Sequence, residues 1–96
     1  MTPEGYEKDD IKKYLDTLHP HLWYFVPFMA GYGRSGVSDI VGCYRGRFFG
    51  IEVKRPGKKP SVIQYRRLRE IEEAGGKGFW GTAEKVIPEF EAWIRA

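Results

Sequence analysis

The sequence predicts an α/β fold in which helices flank a mixed four-stranded sheet, with the element order αβββαβα. Segments rich in aromatic and β-branched residues alternate with segments whose apolar residues recur at helical spacing. A tight turn at Arg45-Gly46 joins two strands as a hairpin, and a helix then crosses over to the last strand. With 96 residues, the chain has room for one domain, residues 1–96.

The N-terminal part predicts a helix and then a strand. Thr2-Pro3 is typical of an N-cap followed by a first helical residue, and apolar residues continue at helical spacing over about 3–18. Residues 22–29 are aromatic and β-branched. They predict an edge strand, or a strand that ends near 26, because Pro27 cannot donate a hydrogen bond within a sheet.

Turn and capping residues define the remaining elements. These are a loop over 31–36, strands over 39–44 and 47–54, a basic loop over 55–60, a helix from 61 to about 74 and a strand over 77–81. Ser61 and Gln64 form a capping box at the start of the second helix. Thr82 caps a last helical segment that contains Pro88, so we expect a turn first and the main helix from about 88.

The composition excludes several classes of protein. No apolar run approaches the ~18 residues of a membrane span, and the acidic N-terminus is unlike a signal peptide. The single cysteine, Cys43, cannot form an intramolecular disulfide, and we expect it to be a small buried residue. No glycine-rich phosphate-binding motif argues for a nucleotide cofactor. The expectation is a reduced, cytoplasmic protein without a membrane partner.

The charge of the chain is unevenly distributed. Residues 45–69 hold nine Lys or Arg and a single acid, a local balance of +8, whereas the rest of the chain balances at −5. Such segregation is typical of a surface that binds a polyanion. A solvated charged face would have the same composition.

Acidic residues near two strand ends predict a metal site. Alternation places Glu52 and Lys54 on one face of the third strand, roughly 6.5–7 Å apart, and these two alone would be explained by a surface ion pair. Hairpin pairing, however, allows Asp39 at the start of the second strand to lie beside Glu52 or Lys54. Two adjacent carboxylates repel unless a cation lies between them, and oxygen ligands favour Mg²⁺ or Mn²⁺.

Two helix residues extend this cluster, each with a structural alternative. Gln64 begins the apolar stripe of the second helix near the strand ends, although the capping box also accounts for it. Glu7 extends the buried stripe of the first helix by one turn, although the helix dipole also favours an acid there.

Three motifs together resemble a known family. Ser35-Gly-Val-Ser-Asp39, Ile51-Glu-Val-Lys54 and Ser61-x-x-Gln64 resemble the PD-(D/E)xK nuclease superfamily, and within it the virus-type replication-repair nuclease (VRR-NUC) domain. The resemblance extends from Glu7 through the last helix and implies a restriction-endonuclease-like core. The superfamily's Pro-Asp dipeptide is Ser38-Asp39 here, and since proline is no metal ligand, the implied chemistry is unaffected.

The resemblance implies a metal-dependent endonuclease that hydrolyses phosphodiester bonds in DNA. Asp39 and Glu52 would hold Mg²⁺ or Mn²⁺, with the backbone carbonyl of Val53 as a further ligand. The ion would polarise the scissile phosphate and lower the pKa of a water, which Lys54 would orient or deprotonate.

The remaining implied residues support the reaction from the helices and the basic segment. Gln64 would position Lys54 or water, and Glu7 would hold water or a second metal ion, directly or through water. The predicted DNA-binding residues are Arg34, Arg55, Lys58, Lys59 and Arg66.

Small members of this family, made of the nuclease domain alone, resemble dimeric Holliday-junction resolving enzymes. The resemblance therefore implies a homodimer that acts on branched or four-way junction DNA in the cytoplasm of a bacterium or a phage-infected host. Trp23, Tyr24 and Phe25 are consecutive, so one face of their strand is available for a dimer interface. The alternatives are a flap, nicking or single-strand nuclease and, in another class, a nuclease-like module that only binds DNA.

Overall fold

A computed structural model of the chain describes residues 1–28 and 35–96. Its elements are α1 (Pro3–Asp16), β1 (Leu22–Phe25), β2 (Ile40–Tyr44), β3 (Arg47–Val53), α2 (Val62–Glu73), β4 (Lys77–Gly81) and α3 (Ala83–Arg95). This order and the mixed sheet confirm the α/β fold predicted from the sequence. No helix in these two ranges is long and apolar enough to cross a membrane.

The four strands form one sheet in the order β1-β2-β3-β4. β1, β2 and β3 are successively antiparallel, whereas β4 runs parallel to β3 because α2 crosses over between them. In this register Ile40 lies opposite Ile51, and Glu52 lies beside Trp80. The start of β2 and the end of β3 therefore lie at the same end of the sheet.

One face of the sheet carries the hydrophobic core. Phe49, Ile51 and Val53 are buried on this face, as the alternation along β3 predicts. The core residues contributed by α1 and α3 are Ile11, Leu15, Ala83, Val86 and Phe90. Aromatic rings pack against one another within this core. The ring centroids of Phe49 and Phe90 are 4.9 Å apart in an edge-to-face arrangement.

The helix α2 packs on the opposite face of the sheet, over β3 and β4. It begins with the predicted capping box, in which Ser61 Oγ accepts from Gln64 N and Gln64 Oε1 accepts from Ser61 N. Gly50 lies where α2 and β3 pack closely, since a Cβ there would lie 2.6 Å from Ile71 Cδ1 and 2.8 Å from Ser38 Oγ and would have to displace both side chains. Gly50 thus lets α2 approach β3 closely.

The last helix begins earlier than the sequence predicts. α3 starts at Ala83, not near 88, and passes through Pro88 without interruption. Thr82 Oγ1 accepts from Lys85 N at 3.3 Å, and Val86 and Phe90 are buried on either side of the proline. Pro88 removes a single intrahelical hydrogen bond, and core packing of the flanking residues offsets that loss.

Smaller differences concern the ends of the first two elements. α1 ends at Asp16 rather than near 18, where Thr17 Oγ1 donates to the carbonyl of Tyr14 at 2.6 Å. β1 ends at Phe25, close to the predicted end near 26, and it is also an edge strand of the sheet; Pro27 lies outside the strand. Most of the predicted loop over 31–36 lies outside the described residues.

Within residues 1–28 and 35–96, no helix covers the outer face of β1 and β2 beside α2. Trp23 and Phe25 of β1 and Phe48 of β3 are exposed on this face, and their strand neighbour Cys43 is only half-buried. The expectation that Cys43 is buried is therefore wrong, because α2 covers β3 and β4 and does not reach over β2. An apolar groove of about 440 Å³ lies between α2 and the open strands.

Candidate active site

The hairpin register brings Asp39 to the end of β3. Asp39 directly precedes Ile40, and Ile40 pairs with Ile51 of β3. The next residue of β3 whose N–H points toward β2 is Val53. Asp39 Oδ2 accepts a hydrogen bond from Val53 N at 2.8 Å. The carboxylate thus takes the place that a backbone carbonyl would occupy if the β2–β3 ladder continued by one more step.

Glu52 is a buried acid on the face of the sheet that α2 covers. Its residue exposure is 3%, and its Oε2 atom lies 3.7 Å from Lys54 Nζ. The lysine follows two residues later at the end of the same strand, and the backbone N–H of Lys54 donates to the carbonyl of Gly81 at 2.9 Å. Strand alternation thus puts an acid and a base side by side, as the sequence predicts.

Gln64 connects the start of α2 to this acid. Its Nε2 atom donates to Glu52 Oε2 at 3.1 Å, while its Oε1 atom accepts from Ser61 N at 2.8 Å. The capping box and the contact with Glu52 are therefore made by the same side chain. The structure thus confirms the capping box and the position of Gln64 near the strand ends, whereas its role in positioning Lys54 or water stays a prediction.

The second oxygen of Glu52 has no partner. Glu52 Oε1 is buried and accepts no hydrogen bond from any described residue. Burial in the first place, and then contact with the Asp39 carboxyl, raise the pKa of Glu52 from 4.5 to about 8, although the charge of Lys54 opposes the shift. In the absence of a metal ion, burial beside Asp39 therefore favours the protonated form of Glu52.

This arrangement fits a divalent cation. A buried carboxylate oxygen without a donor, next to a second carboxylate, is an environment that a hard cation stabilises. The N–H and C=O of a strand residue point to the same neighbour, so the carbonyl of Val53 faces the side on which Asp39 lies. No group of three or more His, Cys, Asp or Glu that could hold a metal ion occurs within 1–28 and 35–96. The chain therefore offers two acids and a carbonyl.

The structure ties Glu7 to α3. Glu7 Oε1 accepts from Ala83 N at 2.8 Å, where Ala83 is the first residue of the helix. A carboxylate at a helix N-terminus is stabilised by the free N–H groups and by the helix dipole. One oxygen of Glu7 is thus already bonded within the fold.

Two other residues of α1 line the site, and the sequence interpretation missed them. Glu4 and Lys8 lie with Asp39 and Val53 around a polar cavity of about 230 Å³, and the charge of Glu4 contributes to the raised pKa of Glu52. A signal was present in the sequence. Positions 4 and 8 continue, by steps of four and three, the stripe whose buried members are Ile11 and Leu15.

Four of the five predicted DNA-binding cations are exposed in the described part of the chain. Arg55, Lys58 and Lys59 follow β3 directly, and Arg66 lies on α2; none forms an ion pair with a described residue. Arg34, the fifth, lies outside the described residues. The fold uses other cations of the basic segment: Arg47, for example, donates from Nη2 to the carbonyl of Trp93 at 3.0 Å.

Comparisons of the chain with protein-family models, with curated proteins and with solved structures each gave no match. The function of the site is therefore inferred from its geometry and chemistry.

Proposed function

We propose that this protein is a metal-dependent DNA endonuclease that hydrolyses phosphodiester bonds. The observation that carries the proposal is the buried carboxylate of Glu52, which has one oxygen without a partner and lies next to Asp39. A module that only bound DNA would gain nothing from burying an acid beside another acid. The sheet order, with β4 parallel to β3 after an antiparallel meander, supports a restriction-endonuclease-like core of the VRR-NUC type.

Asp39, Glu52 and the carbonyl of Val53 would hold Mg²⁺ or Mn²⁺. These are hard oxygen donors, which such ions prefer. A bound divalent ion would supply positive charge at a phosphodiester and would lower the pKa of a water molecule. Gln64 donates a hydrogen bond to Glu52 Oε2, so Oε1 is the oxygen of that carboxylate that remains available as a metal ligand.

Lys54 and Lys8 would supply positive charge close to the two acids. The side chain of Lys54 is 13% exposed and lies 3.7 Å from Glu52, where its ammonium group would orient the attacking water and offset charge that develops on the phosphate. Lys8 lines the cavity beside Asp39 and forms no ion pair with any residue of the described ranges. Lys8 would bind a phosphate oxygen next to the scissile bond.

The proposed substrate is branched DNA, with a four-way junction as the leading case. Exposed cations of the loop after β3 would contact the phosphate backbone without reading the sequence. Symmetric cleavage of a junction needs two sites related by a two-fold axis, which a homodimer supplies. The open outer face with Trp23, Phe25 and Phe48 is an apolar surface that a second copy of the chain would cover.

A cleavage assay on defined substrates tests the proposal. Labelled four-way junction, flap, duplex and single-stranded DNA would be incubated with Mg²⁺, Mn²⁺ or EDTA, and the oligomeric state measured by sedimentation. We expect metal-dependent cleavage that Lys54→Ala reduces by at least about 100-fold while circular dichroism is unchanged. Lys77→Ala, which removes a surface lysine paired with Glu72, is the matched control.

Three results would count against parts of this proposal. Full cleavage by folded Lys54→Ala would exclude the site. Preferential cleavage of flaps or single strands by a monomer would retain the nuclease and exclude junction resolution. Metal-independent binding of DNA without any cleavage would favour the binding module.

A further inference from the structure

The helix α2 also holds the segment that leads into Asp39. Arg67 Nε donates to the carbonyl oxygen of Ser35 at 2.9 Å. Its Nη1 atom donates to both carboxylate oxygens of Glu70, at 3.0 and 2.8 Å. The side chain of Arg67 is only 18% exposed, so most of it is covered by the fold.

A second contact follows directly along the same segment. Gly36 has a φ of +76°, and a Cβ at this position would lie 3.0 Å from the backbone of Ile63 in α2. Only glycine allows this left-handed turn to lie against the helix. Ser38, two residues later, is 2% exposed, so the chain stays against the body of the protein until it reaches Asp39.

Both acids of the site therefore depend on α2. Glu52 is held directly, through Gln64 one turn before Arg67, whereas Asp39 is held through the segment that Arg67 and Ile63 fix. The relative position of two ligands determines how well they bind a cation, and outer groups that orient ligands affect metal affinity strongly.

We propose that Arg67 is a positioning residue of the active site, which fixes the approach of Asp39 to β3 by holding the carbonyl of Ser35. The proposal deepens the proposed function and rests on it. Arg67 belongs to the basic segment, but its role differs from that of its neighbours Arg66 and Arg69, which are exposed. Arg67 binds the protein's own backbone and leaves contact with DNA to the other cations.

Arginine suits this position better than lysine. The planar guanidinium group donates in several fixed directions, so it bonds to Ser35 and to the two oxygens of Glu70 together. A lysine at position 67 could reach one of these acceptors but has no fork with which to hold both. Arg67→Lys is therefore expected to recover part of what Arg67→Ala loses.

Amide hydrogen exchange measured by NMR tests the positioning directly. The reporter is the N–H of Val53, which donates to Asp39, and the reference is the N–H of Ile51 in the same strand. In Arg67→Ala we expect Val53 to exchange about tenfold faster, which corresponds to the loss of one hydrogen bond, while Ile51 keeps its protection. Arg66→Ala, the control on the same helix, should change neither rate. Unchanged protection at Val53, or an equal loss at both amides, would overturn the proposal.

Measurements of metal binding and DNA binding distinguish a positioning role of Arg67 from a direct contact between Arg67 and phosphate. By calorimetry, Arg67→Ala should bind Mn²⁺ about tenfold more weakly, and it should lower kcat while DNA affinity without metal stays unchanged. A loss of DNA affinity with a reduced salt dependence would instead make Arg67 a phosphate contact and overturn the proposal. If the wild type neither binds Mn²⁺ nor cleaves DNA, the proposed function fails, whereas the Val53 exchange rate still decides whether Arg67 positions Asp39.

Discussion

The carboxamide of Gln64 lies between the N-cap of α2 and the carboxylate of Glu52, and it bonds to both. Its oxygen accepts from Ser61 N at 2.8 Å, and its nitrogen donates to Glu52 Oε2 at 3.1 Å. The start of a helix and the orientation of a buried acid thus depend on one side chain. Substitutions at position 64 can separate these two roles.

Gln64→Glu should keep the helix cap and lose the hydrogen bond to Glu52. A glutamate at this position still accepts from Ser61 N in a capping box, but it faces Glu52 with a second negative charge. Gln64→Ala should lose both bonds and lower the free energy of unfolding by about 1–2 kcal/mol. We expect both variants to need more Mg²⁺ for half-maximal cleavage.

Thermal unfolding and a Mg²⁺ titration of cleavage would check this prediction. Wild-type metal dependence in Gln64→Glu would show that the hydrogen bond to Glu52 has no role at the site.

The raised pKa of Glu52 predicts a pH-dependent stability of the metal-free protein. The folded state keeps a proton up to about pH 8 that the unfolded chain releases near 4.5. The unfolded state therefore binds fewer protons between these values, and stability falls as the pH rises, on the order of 1 kcal/mol per pH unit. Glu52→Gln removes this loss, so in EDTA the variant should be more stable than the wild type at pH 8.5 and show little advantage at pH 4.5.

Urea unfolding at several pH values, with constant ionic strength, measures the effect. Asp39→Asn should flatten the profile in part, because the Asp39 carboxyl is a cause of the shift after burial. A gap between Glu52→Gln and the wild type that does not grow with pH would contradict the prediction.

Two acids of α1 should have separable effects. Glu7→Ala removes the acceptor of the first N–H of α3 and should lower the free energy of unfolding by about 1–2 kcal/mol. Glu4→Ala removes a charge beside the site; it should change stability by less than about 0.5 kcal/mol and should weaken Mn²⁺ binding. Urea unfolding and calorimetry on both variants check this, and the reverse pattern would make Glu7 the α1 acid of the site.

The loop after β3 should account for the salt dependence of DNA binding. Replacing Arg55, Lys58 and Lys59 by alanine should reduce the slope of log K against log salt by about 0.9 for each phosphate that the protein no longer neutralises. Arg95→Ala, at the end of α3, is a control that removes an exposed arginine paired with Glu91. Fluorescence anisotropy at several salt concentrations gives the slopes, and an unchanged slope in the triple variant would place the DNA elsewhere.

Ser38→Ala should stabilise the protein. The Ser38 side chain is 2% exposed, and its hydroxyl has no hydrogen-bond partner among the described residues. Removing a buried polar group without a partner should raise the free energy of unfolding by about 1 kcal/mol. Urea unfolding measures the change, and a decrease would mean that the hydroxyl is bonded in solution.

The parts of the site that the sequence predicts are those fixed by local rules. Strand alternation relates Glu52 to Lys54, and hairpin pairing relates Asp39 to the end of β3. A capping motif places Gln64 at the start of α2. Each relation depends on neighbours in the chain or on a single strand pair.

The features that the sequence did not predict depend on distant packing. Whether Glu4 or Glu7 lines the site depends on the rotation of α1 about its axis, which burial of Ile11 and Leu15 against the sheet sets. The bond from Arg67 joins residues 32 positions apart. The continuity of α3 through Pro88 likewise depends on packing rather than on local propensity.

Both acids of the site lie on a single hairpin, with 12 residues between Asp39 and Glu52. In the folding reaction, these carboxylates approach each other as soon as the hairpin closes, because only a short loop must be ordered. We expect desolvation of Glu52 to come later, when α2 docks and Gln64 reaches this carboxylate. We therefore expect electrostatic repulsion to act early in folding and dehydration to act late. A cation that binds the hairpin should then speed folding, whereas variants of α2 should mainly change the rate of unfolding.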